Sequence, residues 1–157
     1  MEHAFLTRRG FIAGSAAAGW LHAAPEKPVF FTDSEASLVV LIAEQIVPAD
    51  HDPGATQAGV VHYIDRQLGG PLQRFAAVYR AGLPQFEPLR SMPPEDQTRF
   101  LEAVERGEHG RQAADLFNLI VDHTMQGFYG SPKHGGNQDE VSWRMLGIVH
   151  EMDGGHH

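Results

Sequence analysis

The chain has 157 residues, a formal net charge of −8, 42 % hydrophobic residues, 20 % charged residues and no cysteine. That length suits one domain around one core once a leader is set aside. The missing cysteine excludes disulfides, thiolate metal sites, iron–sulfur ligation and c-type haem attachment, and an acidic chain without a basic run argues against nucleic acid and anionic membrane as partners.

The chain opens on Thr7-Arg8-Arg9-Gly10-Phe11-Ile12, followed by Ala13, Gly14, Ala16, Ala17, Ala18 and Gly19. Adjacent arginines, a following Phe–Ile pair and a weakly apolar Ala/Gly stretch have the pattern of a twin-arginine export signal, with Arg8, Arg9 and Phe11 as its determinants. The stretch is shorter and less apolar than the roughly 20 residues a membrane span needs. Residues 1–24 are therefore assigned to the signal, with cleavage expected after Ala23 or Ala24 and the mature chain in the periplasm. That export route carries proteins already folded, often with cofactor in place. The rest of this chain shows no nucleotide loop and no catalytic set, which makes a partner the expected cargo.

Residues 25–31 read as an extended linker in which Val29-Phe30-Phe31 clips onto the domain, residues 32–147 as a helical domain and 148–157 as a polar tail. Thr32-Asp33-Ser34-Glu35 is a capping box opening a helix to about Ile46, with Leu38, Leu41, Ile42, Gln45 and Ile46 near one face. Val47–Gly54 is a polar turn. Thr56 is expected to cap a second helix carrying Val60, Tyr63, Ile64 and Leu68. Gly69-Gly70-Pro71 ends it, and a third helix is expected from Pro71 into Phe86 with Leu72, Phe75, Ala76, Tyr79 and Leu83 inward and Pro84 shortening it. Ser91–Glu95 opens a fourth helix with Phe100, Leu101 and Val104. Gly107–Gly110 breaks it, and a fifth runs from about Arg111 to Met125, ended by Gly127. Phe128–Gly136 reads as irregular, and Asn137 is expected to cap a short last helix with Val141, Trp143 and Leu146. The fold class is all-α: a small irregular bundle of five to six helices with a glycine–aromatic loop near the C-terminus.

Ten histidines invite a metal site. The usual helical ligand spacings are absent, since no Glu is followed by a His three residues later. Asp50-His51-Asp52 reads as a solvated turn, with weak divalent-ion binding as the alternative. No Gly-x-Ser-x-Gly elbow occurs, and Ser131 near His134 has no orienting acid. A second functional class, an autonomous periplasmic metal-binding protein or enzyme, would rest on His62, His123 and His134. Met125–Trp143 is the most unusual stretch. Its aromatics on a Gly/Pro frame suit a contact surface. Equally, Phe128 and Trp143 fit the chain's own core; both hold together if those two point inward and Tyr129, Lys133 and His134 outward.

His123-Thr124-Met125-Gln126-Gly127-Phe128-Tyr129-Gly130-Ser131-Pro132-Lys133-His134-Gly135-Gly136-Asn137, followed by Trp143 and Gly147, resembles the signature of the gluconate 2-dehydrogenase subunit 3 family. Gly59–Leu68 after the Val47–Asp50 turn is similar too, and so is the twin-arginine start. Lys133-His134 departs from the pattern, in which an aromatic is common before the glycine pair. The resemblance implies a non-catalytic small subunit needed for export, maturation and stability of a large FAD-bearing catalytic subunit of the glucose–methanol–choline type. It implies a multihaem cytochrome c as a further partner, the twin-arginine translocon during export, and no cofactor in this chain itself. It also implies that Phe128, Tyr129, Pro132, His134, Gly135, Gly136, Asn137 and Trp143 serve partner binding.

Overall fold

The computed structural model describes residues 28–148; the proposed signal, with Arg8, Arg9 and Phe11, and most of the tail lie outside the described residues. Among the described residues six α-helices follow in order: α1 (Asp33–Ile46), α2 (Val60–Leu68), α3 (Ala76–Gly82), α4 (Pro94–Glu105), α5 (Arg111–Tyr129) and α6 (Val141–Met145). 3-10 segments flank α3 and precede α6, and no strand occurs among the described residues. The all-α expectation holds.

The capping box opens α1 as the sequence requires. Thr32 Oγ1 accepts the Glu35 N–H at 3.2 Å, and Glu35 Oε2 accepts the Thr32 N–H at 2.9 Å. Ala36, Leu38, Val39, Val40, Ile42 and Ala43 are buried, a wider apolar face than the expected stripe; Leu41, Gln45 and Ile46 lie at its edge, half-buried. The following turn is tied back by Glu44, whose carboxylate accepts Ala49 N–H at 2.8 Å and the Thr56 hydroxyl at 2.7 Å. Thr56 is thereby taken up by Glu44 and does not cap α2, which starts four residues later, behind Gly59.

The expected third helix is broken. Only Ala76–Gly82 is α-helical; Gln73–Phe75 before it and Leu83–Ser91 after it are 3-10. Pro84 and Pro88 have no N–H to return to the carbonyl four residues back, so the tighter winding takes over beyond Gly82. α4 begins on Pro94 with Glu95 and Asp96 in its first turn, where acids complement the helix dipole.

The central element is α5. It packs against α1, α2, α3, α4 and α6, and buries Ala113, Leu116, Phe117, Ile120, His123, Thr124, Gly127 and Phe128. It does not end at Gly127 but runs to Tyr129, where Gly130 takes extended backbone. Gly127 is a site of close approach, not a stop, because a Cβ there would meet the Tyr63 ring of α2 at 2.8 Å.

Two side chains hold the segment before α1. Asp65 of α2, 3 % exposed, accepts three consecutive backbone N–H groups: Val29 at 2.7 Å, Phe30 at 2.9 Å and Phe31 at 2.8 Å. Arg80 of α3 lies over the Phe30 ring at 4.1 Å, donates to the Phe30 carbonyl at 2.6 Å and pairs with Glu35. Phe31 packs on Tyr79 in the core, while Val29 stays exposed. A buried carboxylate with three amide donors is a charge-assisted cluster, costly to break on one side only. Asp65→Asn keeps the shape but turns a donor toward those amides, and is expected to lower stability by about 2–3 kcal/mol. A urea unfolding midpoint measured for both forms checks this.

Candidate functional site

The loop Gly130–Glu140 folds back on the end of α5. Its pivot is Asn137, fully buried and in the left-handed region at φ 43°. Asn137 Nδ2 donates to the Gly130 carbonyl at 3.0 Å. Its Oδ1 accepts the Ser142 N–H at 3.0 Å and the Ser142 hydroxyl at 2.8 Å. One amide thus closes the start of the loop and satisfies an orphan donor in the first turn of α6. The expected capping role of Asn137 holds, but from outside the helix: Glu140 occupies the residue before Val141, and Asn137 reaches past it.

Gly136 lies directly on the backbone of Gly127, so a Cβ at 136 would overlap the Gly127 carbonyl. Two glycines 9 positions apart bring loop and helix backbones together where no side chain fits. Two further bonds fasten the loop: the Gln138 N–H donates to the Ala58 carbonyl at 3.0 Å, and the Trp143 indole N–H to the Tyr129 carbonyl at 2.9 Å. Tyr63 of α2 donates its hydroxyl to Gln126 Oε1 at 3.0 Å, tying the same region of α5 to α2.

Beneath lies His123, 2 % exposed, its ring parallel to that of Tyr79 and its Nδ1 2.8 Å from the Tyr79 hydroxyl. Phe75 closes the other side at 5.5 Å between ring centroids. Burial pushes the Tyr79 phenol far above its ordinary range, so it stays protonated. Burial also lowers the pKa of His123; Asp122 opposes that shift and Arg74 adds to it. The pair is a neutral hydrogen bond inside the core, and His123 is a packing residue there.

The signature residues thus divide. Phe128, Gly136 and Asn137 are buried within this chain and shape the loop from inside, without an outward contact of their own. Pro132, Gly135 and Trp143 are half-buried, whereas Tyr129, Lys133 and His134 are exposed, Tyr129 at 44 %. Of the reading that put Phe128 and Trp143 inward and Tyr129, Lys133 and His134 outward, Phe128 and the three outward residues hold, whereas Trp143 is half-buried and spends its indole N–H on the Tyr129 carbonyl at the end of α5. The ligand set His62, His123 and His134 does not converge: two are buried on different helices and the third is exposed on the loop, and no metal-competent group of three or more His, Cys, Asp or Glu occurs among the described residues. Asp50-His51-Asp52 is a turn closed on itself, Asp50 Oδ1 accepting the Asp52 N–H at 2.9 Å. Residue reasoning missed Ala58, Tyr63 and Arg66 as parts of the site, Arg66 lying against the loop where a Cβ on Gly135 would stand 3.0 Å from its Cδ, and gave Gln126 of the signature run no role. The similarity of Gly59–Leu68 to the same family was the one signal pointing to α2.

Asn137→Ala strands Ser142 and Gly130 together and is expected to cost about 3 kcal/mol, read as a lower thermal midpoint with near-native far-UV circular dichroism. Acid is expected to destabilise the chain. His62 and His123 have folded pKa values lowered by burial, with Asp65 opposing the shift at His62. The unfolded state therefore binds more protons, so stability is full above about pH 6.5 and falls as pH drops from there toward the lowered folded values. Urea midpoints across that range check the slope, which is expected to shrink in His62→Gln.

A protein-family model described as Gluconate 2-dehydrogenase subunit 3 matches residues 33–149, which takes in α1 to α6 and the whole loop. No curated protein and no solved structure matches the chain. The match spans most of the sequence and includes the His123–Asn137 run and Trp143, the residues that build the site. The chain belongs to the gluconate 2-dehydrogenase subunit 3 family, a family of subunits of a dehydrogenase complex.

Proposed function

We propose that this chain is the non-catalytic small subunit of a periplasmic FAD-dependent sugar or polyol dehydrogenase, and that it carries its catalytic partner through the twin-arginine route. The observation that supports this most is the division of the signature loop. Its inner side is spent on the chain's own packing, whereas Tyr129, Lys133 and His134 remain exposed on a frame fastened by Asn137, Gly136 and Trp143. A rigid frame presenting an aromatic and polar donors loses little entropy on association.

In this reading FAD and the oxidation chemistry belong to a large subunit of the glucose–methanol–choline type, and a multihaem cytochrome c completes the complex at the membrane. The small subunit supplies export, through Arg8, Arg9 and Phe11, and maturation and stability, through the loop. An obligate interface of this kind buries roughly 2,000 Å² or more, with aromatic anchors near its centre.

The test is a pull-down of the full chain, tagged at its C-terminus, from periplasm of cells that also make the catalytic subunit. The expected eluate carries flavin absorbance and a large band at near-equal stoichiometry, and both leave the periplasm when Arg8 and Arg9 become lysines. Tyr129→Ala with His134→Ala is expected to reduce flavoprotein recovery about tenfold or more without changing the helical circular dichroism. A colourless, stable monomer from the native background would overturn the proposal.

A further inference from the structure

Left-handed backbone outside glycine is confined to one place in this chain. Among the described residues only Asn137 at φ 43°, Asp139 at 54° and Glu140 at 56° are non-glycine residues with positive φ, and all three lie in the loop just before α6. Asparagine and aspartate tolerate that region through their short polar side chains, whereas glutamate does so poorly. Nothing local offsets the strain at the two acids: among the described residues neither Asp139 nor Glu140 makes a side-chain hydrogen bond or ion pair.

The residue order of the same stretch specifies a different conformation. Asn137-Gln138-Asp139-Glu140 has the pattern of a helix start: a capping residue, then acids in the first turn, with Glu140 placed to complete a capping box. Continued back to Gln138, α6 would gain a full turn on its five residues. Asn137 Oδ1 would then take an N–H of the first turn, and the Glu140 carboxylate would reach the Asn137 N–H. The Ser142 N–H and hydroxyl, both bonded to Asn137 in the form described, would pass to the Gln138 carbonyl four residues back. All three left-handed residues would return to ordinary backbone.

What holds the described form against this lies outside the helix. The Gly130 carbonyl has the Asn137 amide at 3.0 Å, and the carbonyl of buried Ala58 has the Gln138 N–H at 3.0 Å. The Gln138 side chain fills the space over Gly59, where a Cβ would stand 2.4 Å from its Cδ. A left-handed L-residue costs about as much as one net hydrogen bond contributes. Three such residues stand against two carbonyl bonds and one packed side chain, so the two forms lie close in energy.

We infer that Asn137–Glu140 is a two-state switch. In the form described it fastens the loop to α2 and to the end of α5; in the other it joins α6 and releases the loop that carries Lys133 and His134. Asn137 serves both forms, as a loop tie in one and a helix cap in the other. The fastened form predominates, and the loop is stiff in it. The inference concerns this chain alone and stands apart from the accessory-subunit reading.

The experiment is backbone NMR on the full chain. Carbon chemical shifts read the conformation, and relaxation dispersion reads exchange on the microsecond-to-millisecond scale. Wild type is expected to show left-handed shifts at Asp139 and Glu140, with exchange from Gln138 to Ser142 into a helical minor form of about 1–10 %. Asp139→Gly with Glu140→Gly removes the strain from the fastened form; the exchange disappears and the thermal midpoint rises by a few degrees. Gln138→Pro biases the other way, because proline suits the first helical position and has no N–H for Ala58, and the helical shifts become the major set. If Gln138→Pro does not fold, wild type and the glycine pair decide. The inference is overturned if wild-type dispersion is flat, or if the glycine pair leaves the exchange unchanged or lowers the midpoint. It is also overturned if helical shifts from Gln138 onward are the only set present in wild type.

Discussion

The contact of Gly136 on the backbone of Gly127 is the constraint from which the C-terminal third of the molecule follows. It lets an irregular loop lie flat against the last turns of α5, at a distance no β-carbon permits. With the loop there, Asn137 falls where its amide can serve Gly130, Ser142 and the start of α6 at once. Trp143 then closes on the Tyr129 carbonyl, and Gln138 reaches the backbone of the turn before α2. Each bond is worth about 1 kcal/mol net, but all are available only in one arrangement, so they act as a lock.

The lock bears on a long central helix. α5 reaches all five other helices, so the register of the loop on its end is the register of the loop on the whole bundle. The stacked Tyr79 and His123 rings link α3 to α5 directly beneath it. At the opposite edge of α2, Asp65 holds the segment leading into α1 through three amides, and Arg80 covers it. α2 is therefore fastened on one side to the entering chain and on the other to the loop, and the adjacent Asp65 and Arg66 serve the two sides. In a chain without disulfides, such polar clamps supply definition that a core of this size leaves open.

This organisation suits the accessory-subunit role proposed above. A surface that must meet a large partner in one orientation benefits from stiffness, because ordering it in advance leaves less entropy to lose on binding. The loop achieves stiffness with buried amides and backbone contacts while Lys133 and His134 on it, and Met125 and Tyr129 on the end of α5, face outward. Family membership and geometry thus converge on the same stretch of chain.

Helices α1, α4 and α5 and the all-α class were legible in the sequence because capping boxes, prolines at helix starts and apolar periodicity are local signals. The signature run was legible by its residues; for Phe128 the core and the contact-surface readings stood level, and only the packing turned it inward. What residue order could not decide were competitions between distant groups. Thr56 has the chemistry of a helix cap, yet Glu44 claims its hydroxyl and α2 starts later. Gly127 has the look of a stop, yet α5 passes through it because Tyr63 and Gly136 need the space. The third helix gives way to 3-10 winding where two prolines interrupt its hydrogen bonds and packing still holds the chain close. Asp65 and Arg66 are ordinary α2 residues until tertiary structure brings three amides to one and a glycine loop to the other. Local chemistry determined which elements form and which stretch is special; the tertiary structure decided which groups those elements spend on one another and which remain for a partner, because hydrogen-bond partners on different elements, here 12 residues apart for Thr56 and up to 36 for Asp65, are chosen by packing.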